Sequence, residues 1–132
     1  FKEILNDFTP RYIKILTGDQ FKDSIKEIRI EGHTSTFWKN SSSSLDCYFK
    51  NMTLSQARTR TTLEFIFLLP ETVENEEWLK TRLTANGLSS SRPITNKNLK
   101  IDEEASQRVE FRIVTNADEK LETIAKSILK IE

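Results

Sequence analysis

The sequence predicts an α/β sandwich in which helices cover one face of a small mixed sheet. Apolar residues recur at helical spacing in several segments, whereas two short segments alternate apolar and charged residues as half-buried strands do. The predicted order is α-β-α-α-β-α, and no linker or internal repeat divides it. We therefore expect one domain over residues 1–132, which is long enough to bury a core without disulfides.

The first element is predicted to be a helix over residues 1–17. Its apolar positions follow helical spacing and are Ile4, Leu5, Phe8, Tyr12, Ile15 and Leu16. Thr9-Pro10 interrupts this pattern, either as a kink or as a cap followed by proline at the first helical position. Gly18-Asp19 is expected to end the segment.

The second element is a short buried strand within residues 25–31. Ile28 and Ile30 are predicted to face inward and their charged neighbours outward. Gly32 is expected to break this strand. Residues 33–50 are predicted to form a long loop that contains four consecutive serines, Ser41 to Ser44.

Two helices are predicted next. Thr53 would cap the first, which would run to about Leu68, where Pro70 stops it. Its expected inner face consists of Leu54, Ala57, Thr61, Phe65 and Leu68. The second would run from Glu76 to Asn86. Asn75 would cap it and Gly87 would end it. Its inward residues would be Trp78, Leu79 and Leu83.

The remaining chain predicts a connection, a strand and a helix. Residues 88–106 would form a connecting segment, with Pro93-Ile94 at a bend or at the start of a strand. Alternation of apolar and charged residues from Val109 to Ile113 predicts the strand. Asn116 and Glu119 form a capping box for a last helix. Its expected core stripe is Leu121, Ile124, Ala125 and Ile128.

Composition excludes several kinds of partner. The 20 basic and 20 acidic residues give zero formal charge, which argues against nucleic acid and against an anionic membrane surface. No apolar run approaches the length of a membrane span. Because the chain opens at Phe1 without a methionine, we expect a C-terminal fragment of a longer protein, with any export signal or membrane anchor upstream.

Catalysis, cofactors and metals are not expected. His33 is the only histidine and has no evident nucleophile or carboxylate partner, so a structural role is predicted for it. One histidine and one cysteine, Cys47, do not make a metal ligand set. The serines at 89–91 lack nucleophile-elbow glycines and a following histidine. We therefore predict a protein that is not an enzyme.

Four segments carry a resemblance to a known family. Residues 30–35 read IEGHTS, residues 51–58 read NMTLSQAR, residues 83–94 begin LTANGL and end RPI, and residues 106–111 read SQRVEF. In this order they resemble the OmpA-like domain, the C-terminal domain type of OmpA and MotB, with its I-x-G-H-T-D and N-x-x-L-S-x-x-R patterns. The resemblance implies the OmpA-like fold over about residues 25–115.

The resemblance also implies a function and a set of site residues. Domains of this family bind the diaminopimelate of the peptidoglycan stem, which presents a carboxylate beside an ammonium group. Arg58 falls at the family's arginine, one turn into a predicted helix, where its planar fork and the helix N-terminus would bind the carboxylate. Asn51, Leu54, Ser55 and Thr34 fall at the other matching positions.

One site position departs from the family. Ser35 stands where an aspartate usually binds the ammonium group, and the loop from Thr36 to Lys50 is longer than is typical. We hypothesise that Asp46 in this loop replaces the missing acid. A second reading of Ser35 is a site that has lost peptidoglycan affinity or prefers another stem residue. The alternative function is a protein–protein interaction domain that kept the fold and lost peptidoglycan binding.

The resemblance does not decide between two kinds of parent protein, or between two roles for the aromatic residues of the loop. The domain would lie in the periplasm, in an outer-membrane or lipoprotein anchor or in a stator-like inner-membrane protein that clamps an ion-driven motor to the wall. Relatives of the stator type often form homodimers. Trp38, Tyr48 and Phe49 would either stack on sugar rings or peptide partners, or fold the loop back onto the domain.

Overall fold

The computed structural model describes residues 2–117 and 124–127. The described elements are α1 Lys2–Leu16, β1 Ile25–His33, α2 Ser44–Leu68, α3 Glu76–Lys80, β2 Leu83–Gly87, α4 Glu103–Ser106 and β3 Arg108–Thr115, with short 3₁₀ helices at Lys22–Ser24 and Pro70–Asn75. The predicted class is confirmed: helices pack on a small mixed sheet, an arrangement compatible with an OmpA-like α+β fold.

The sheet has three described strands in the order β2-β1-β3. β1 is central, parallel to β2 and antiparallel to β3. Ile30 pairs with Ala85 on one side and with Phe111 on the other. A parallel pair needs a crossover connection, and α2 and α3 lie in that connection.

The hydrophobic core lies between the helices and one face of the sheet. Its buried members are Ile13, Leu16, Ile25, Ile28, Ile30, Ile66, Leu79 and Leu83. Aromatic rings extend it toward β3, since Phe8 stacks on Tyr12 with ring centroids 4.8 Å apart and both rings contact Phe111. The predicted inward packing of Leu79 and Leu83 is confirmed, and Trp78 packs against the same core.

Pro10 lies inside α1 rather than at its start. The helix runs unbroken from Lys2 to Leu16, so Thr9 is not its cap and is buried within it. Proline has no N–H and therefore removes one hydrogen bond of the ladder, which a helix held by tertiary packing tolerates. Buried Leu5, Ile13 and Leu16 supply that packing.

Gly32 does not break β1, contrary to the prediction. The strand continues to His33, and Gly32 pairs with both Gly87 and Val109. A Cβ atom at Gly32 would lie 2.8 Å from the carbonyl oxygen of Ser55, so no larger residue fits there without displacing backbone. The glycine is needed because α2 approaches the sheet closely at this point.

α2 begins ten residues earlier than predicted. Ser43, not Thr53, is its N-cap, and the Ser43 hydroxyl accepts a hydrogen bond from the backbone N–H of Asp46. Residues 44–50 of the predicted 33–50 loop are therefore helical. A run of four serines indicates a loop by composition, but one of them in front of a helical segment is also a good cap.

The buried face of α2 also differs from the prediction. The buried residues are Cys47, Asn51, Ser55, Thr59, Thr62 and Ile66, whereas Leu54 and Phe65 are half-buried and Ala57, Thr61 and Leu68 are exposed. Small polar residues occupy the inner face because the helix lies almost in contact with the glycines of the sheet. Their hydroxyls are satisfied within the helix, as where Thr59 donates to the Ser55 carbonyl.

The predicted second helix is shorter than expected, and its C-terminal half is a strand. α3 ends at Lys80, and Leu83–Gly87 forms β2, hydrogen-bonded in parallel to β1. Asn75 is the N-cap residue but makes no side-chain capping bond. The apolar spacing of Leu79 and Leu83 fits either element, and pairing with β1 decides the outcome.

The strand predicted from Val109 is confirmed as β3. Between the last two strands, Thr95 and Ile101 form an isolated bridge. Glu119, Leu121 and Ile128 of the predicted last helix lie outside the described residues. Residues 124–127 are helical but exposed, so Ile124 and Ala125 do not join the core as predicted. Within the described residues, no helix has the length and apolarity to cross a bilayer.

Candidate functional site

A cavity of about 600 Å³ lies between the middle of α2 and the start of β3. Its lining residues are Ala57, Arg58, Thr61, Thr62, Gln107, Arg108 and Val109. This lining combines an arginine with hydroxyl and amide groups and a small apolar wall. Such a surface suits a small anionic or zwitterionic group.

Arg58 is the lining residue whose charge is unpaired. It is exposed, and its guanidinium forms no hydrogen bond or ion pair with the described residues. Arg60, on the same helix, pairs with Glu64 at 3.1 Å. The guanidinium of Arg108 is occupied by Glu110 at 2.6 Å and by the carbonyls of Ser106 and Arg92. Arg58 is thus free to bind an anion from solution.

The position of Arg58 on its helix corrects one part of the predicted site. α2 begins at Ser44, so Arg58 follows about four helical turns later rather than one. The unpaired N–H groups and the favourable dipole of a helix act only within its first turn. Any anion at Arg58 is therefore bound by the side chain and the cavity, not by the N-terminus of α2.

Asn51 and Ser55 support the site from inside the fold. Both are buried, and the Asn51 amide donates to the carbonyls of Ser35 and Phe37 at 3.2 and 3.3 Å. The Ser55 hydroxyl accepts the backbone N–H of Ser89 at 3.1 Å. These two predicted site residues tie the loop after β1 and the end of β2 to α2, and they do not line the cavity.

Thr34, Ser35 and Leu54 also lie outside the cavity lining. Thr34 is buried, and its hydroxyl donates to the Ser35 carbonyl at 2.9 Å. The Ser35 hydroxyl donates to the Phe37 carbonyl at 3.3 Å, and Leu54 is half-buried. The turn after β1 is therefore held by its own hydrogen bonds and by Asn51.

Asp46 does not lie beside Arg58. It lies in the first turn of α2, where it accepts the backbone N–H of Ser42 at 2.9 Å and pairs with Lys50 at 3.0 Å. The hydrogen bond from Ser42 and then Lys50 lower the pKa of Asp46. Twelve residues of helix separate it from Arg58, about 18 Å along the axis. The pair cannot bind two groups on one carbon atom, so Asp46 does not replace the missing acid.

Glu103 is an acid that the sequence analysis missed. It opens α4, and its two carboxylate oxygens accept hydrogen bonds from the backbone N–H of Thr36, at 2.7 Å, and from the Thr36 hydroxyl. Its carbonyl accepts the side-chain amide of Gln107, which lines the cavity. Because 67 residues separate Glu103 from Thr36, no local pattern could have revealed this contact.

A second group of ionisable residues lies on the sheet face opposite the helices. Nε2 of His33 is 3.9 Å from Glu31 and 3.8 Å from Glu110, and the three residues could together surround a metal ion. However, Arg112 and Arg29 bind the Glu31 carboxylate, and Arg108 binds that of Glu110. These three arginines outnumber the two carboxylates that they bind, so the local charge disfavours a cation.

The same surroundings set the protonation of His33. Burial lowers the pKa of His33, the nearby Arg108 lowers it further, and the two carboxylates oppose this shift. Neither ring nitrogen has a hydrogen-bond partner among the described residues. The lowered pKa favours the neutral imidazole. Contrary to the sequence expectation, His33 does have carboxylate neighbours, Glu31 and Glu110.

The aromatic residues before and at the start of α2 differ in exposure. Trp38 and Tyr48 are half-buried, while Phe37 and Phe49 are 69% and 57% exposed. Tyr48 and Phe49 belong to α2 rather than to the loop. Cys47 is buried, and its thiol contacts the Thr36 carbonyl.

Comparison with known proteins shows similarity to a Zorya protein. The chain is 45% identical over 118 residues to the Zorya protein ZorB of Escherichia coli strain ATCC 8739. The match covers 89% of the chain and 49% of ZorB, so the chain spans about half the length of this curated relative. No model of a protein family matches the chain.

Proposed function

We propose that this chain is a non-catalytic, periplasmic peptidoglycan-binding domain of OmpA-like type, which binds the diaminopimelate end of the peptide stem. The observation that supports it most is the guanidinium of Arg58, which lies in the wall of a cavity and has no partner among the described residues. An exposed arginine without a partner keeps both parallel N–H donors available for a carboxylate. The cavity is large enough to receive the end of an amino-acid side chain.

We further propose that the parent protein is of the stator-like kind rather than an outer-membrane anchor. The similarity to the Zorya protein ZorB supports a place in a Zorya assembly. In this arrangement the domain clamps an assembly in the inner membrane to the wall, and two copies would act together. The function needs no cofactor and no catalytic residue.

Co-sedimentation with purified sacculi tests the proposal. Wild-type protein should sediment with diaminopimelate-containing sacculi, and Arg58→Ala should lower the affinity by about 10- to 100-fold, as expected when charge-assisted hydrogen bonds are lost. Arg60→Ala is the matched control, because Arg60 is an exposed arginine on the same helix that pairs with Glu64. Its binding should equal that of wild type.

Two outcomes would contradict this function. Wild-type protein that stays in the supernatant does not bind the wall at all. Equal sedimentation of wild type and Arg58→Ala would show binding that does not use the cavity.

A second candidate function is a protein–protein interaction domain on the same fold. Exposed apolar side chains favour it, because Leu45 and Phe49 lie one turn apart at the start of α2 and Phe37 lies in the loop that Asn51 binds. This candidate predicts that wild type does not bind sacculi, whereas Phe49→Ser weakens association with a protein partner. The sedimentation experiment therefore separates the two functions.

A further inference from the structure

The ligand of the proposed function carries two opposite charges close together. Arg58 provides for the carboxylate, but an ammonium group beside it also needs an acid. A useful acid must lie near the cavity and must not already be neutralised by a cation of the protein. Among the described residues, the candidates are the acids that lie near α2 or the end of β1.

Most of these acids are already paired. Asp46 pairs with Lys50, and Glu64 pairs with Arg60. Glu31 and Glu110 lie on the opposite sheet face and are bound by arginines. None of these carboxylates is available to a ligand in the cavity.

Glu103 differs from them in its partners. Its carboxylate accepts hydrogen bonds from Thr36 but forms no ion pair among the described residues. Hydrogen bonds from a neutral N–H and a hydroxyl fix the carboxylate in place without cancelling its charge. Each carboxylate oxygen has a second lone pair, so the group can still accept from a ligand.

The location of Glu103 is also suitable. Thr36 follows Ser35 directly, at the turn that Asn51 fastens to α2. Gln107, one turn beyond Glu103, donates to the Glu103 carbonyl and lines the same cavity as Arg58. The start of α4 is itself fixed, because the Asp102 side chain accepts the backbone N–H of Ala105. Glu103 does not itself line the cavity, but its backbone is joined by a hydrogen bond to Gln107, which does.

We propose that Glu103 is the specificity-determining acid of this site and binds the ammonium group beside the carboxylate that Arg58 binds. This inference rests on the proposed function. The site would thus be divided between α2, which carries the cationic half, and the start of α4, which carries the anionic half. A ligand with the carboxylate alone would engage only the first half.

The experiment varies the protein and the ligand together. One ligand is a muropeptide with diaminopimelate, and the other has 2-aminopimelate in its place, which keeps the terminal carboxylate but lacks the ammonium group. Affinities of wild type, Glu103→Gln and Arg58→Ala are measured by NMR titration. Glu104→Gln is the matched control, because Glu104 is an exposed acid on the same short helix.

The expected result is a loss that depends on the ligand. Glu103→Gln should bind the diaminopimelate ligand about tenfold more weakly than wild type does, and should bind the 2-aminopimelate ligand equally well. Arg58→Ala should weaken binding of both ligands, and Glu104→Gln should weaken neither.

Other results overturn the inference in distinguishable ways. An equal loss on both ligands would mean that Glu103 only fastens Thr36. If Glu103→Gln kept the wild-type affinity and Arg58→Ala lost affinity, Glu103 would have no part in binding the ligand, and the proposed function would stand. A wild-type protein that binds neither ligand would remove both.

Discussion

Adjacent residues of the central strand show two ways of burying a side chain. Ile30 and Glu31 are 0% and 1% exposed, and they point to opposite faces of the sheet. Ile30 is surrounded by the helices and the apolar core, whereas Glu31 is bound by Arg29 and Arg112. The face that carries Ile30 is stabilised by apolar packing, and the face that carries Glu31 is stabilised by ion pairs.

The register explains how the charged face is arranged. Arg29 lies opposite Arg112, and Glu31 lies opposite Glu110, so residues of like charge face each other directly. Such pairs are unfavourable, but the long arginine side chains reach the acids diagonally. Arg112 contacts Glu31 at 3.0 Å in this way. The stability of this face should therefore respond to salt and pH, and that of the helix face should not.

The largest expected effect is on the helix face. Ile30→Ala removes a buried side chain from the centre of the core and should lower the free energy of unfolding by about 3 kcal/mol. Urea denaturation followed by circular dichroism measures it. The loss should be the same at low and high salt. A loss below about 1 kcal/mol would mean that the face repacks freely.

A smaller effect is expected on the charged face. Glu31→Gln removes a carboxylate from between two arginines that are partly exposed, and should lower the free energy of unfolding by about 1–2 kcal/mol. The same denaturation experiment in 1 M NaCl should shrink this loss, because salt screens the arginines of the variant and weakens the pairs of the wild type. If the loss in the free energy of unfolding did not depend on salt, ion pairs would not be what stabilises this face.

The smallest effect concerns pH. The pKa of His33 lies below its ordinary value of 6.5 in the folded state, so the unfolded chain binds more protons as pH falls below 6.5. Stability should therefore decrease as pH falls from 7 toward 5. His33→Asn should flatten this slope, since His33 is the only histidine. The pKa of Glu110 is also lowered, and its contribution should be lost only at more acidic pH.

Much of the fold could be predicted from local patterns, and the errors have physical causes. α1, β1 and β3 have clear apolar periodicity, which places each of them, although β1 continues through Gly32 to His33. β2 was not, because five residues that include Thr84 and Asn86 become a strand only through pairing with β1. The inner face of α2 was misplaced because polar residues occupy it, at a contact that depends on glycines elsewhere in the chain.

The site could be predicted only in part. The motif around Arg58 indicated the arginine, and the structure places that arginine in a cavity wall. The motif did not separate residues that line the cavity from those, such as Asn51 and Ser55, that support the backbone. The contact between Thr36 and Glu103 joins distant parts of the chain and could not be read from either part alone.

The early start of α2 has a mechanical consequence. Its 25 residues form one rod of about 37 Å, with Arg58 near the middle. Asn51 fastens one half of the rod to the turn after β1, and Ile66 embeds the other half in the core. A force that pulls on Arg58 would therefore be carried by both attachments, the one at Asn51 and the one at Ile66. A domain that holds its parent against the wall would resist detachment through the whole helix rather than through a single turn.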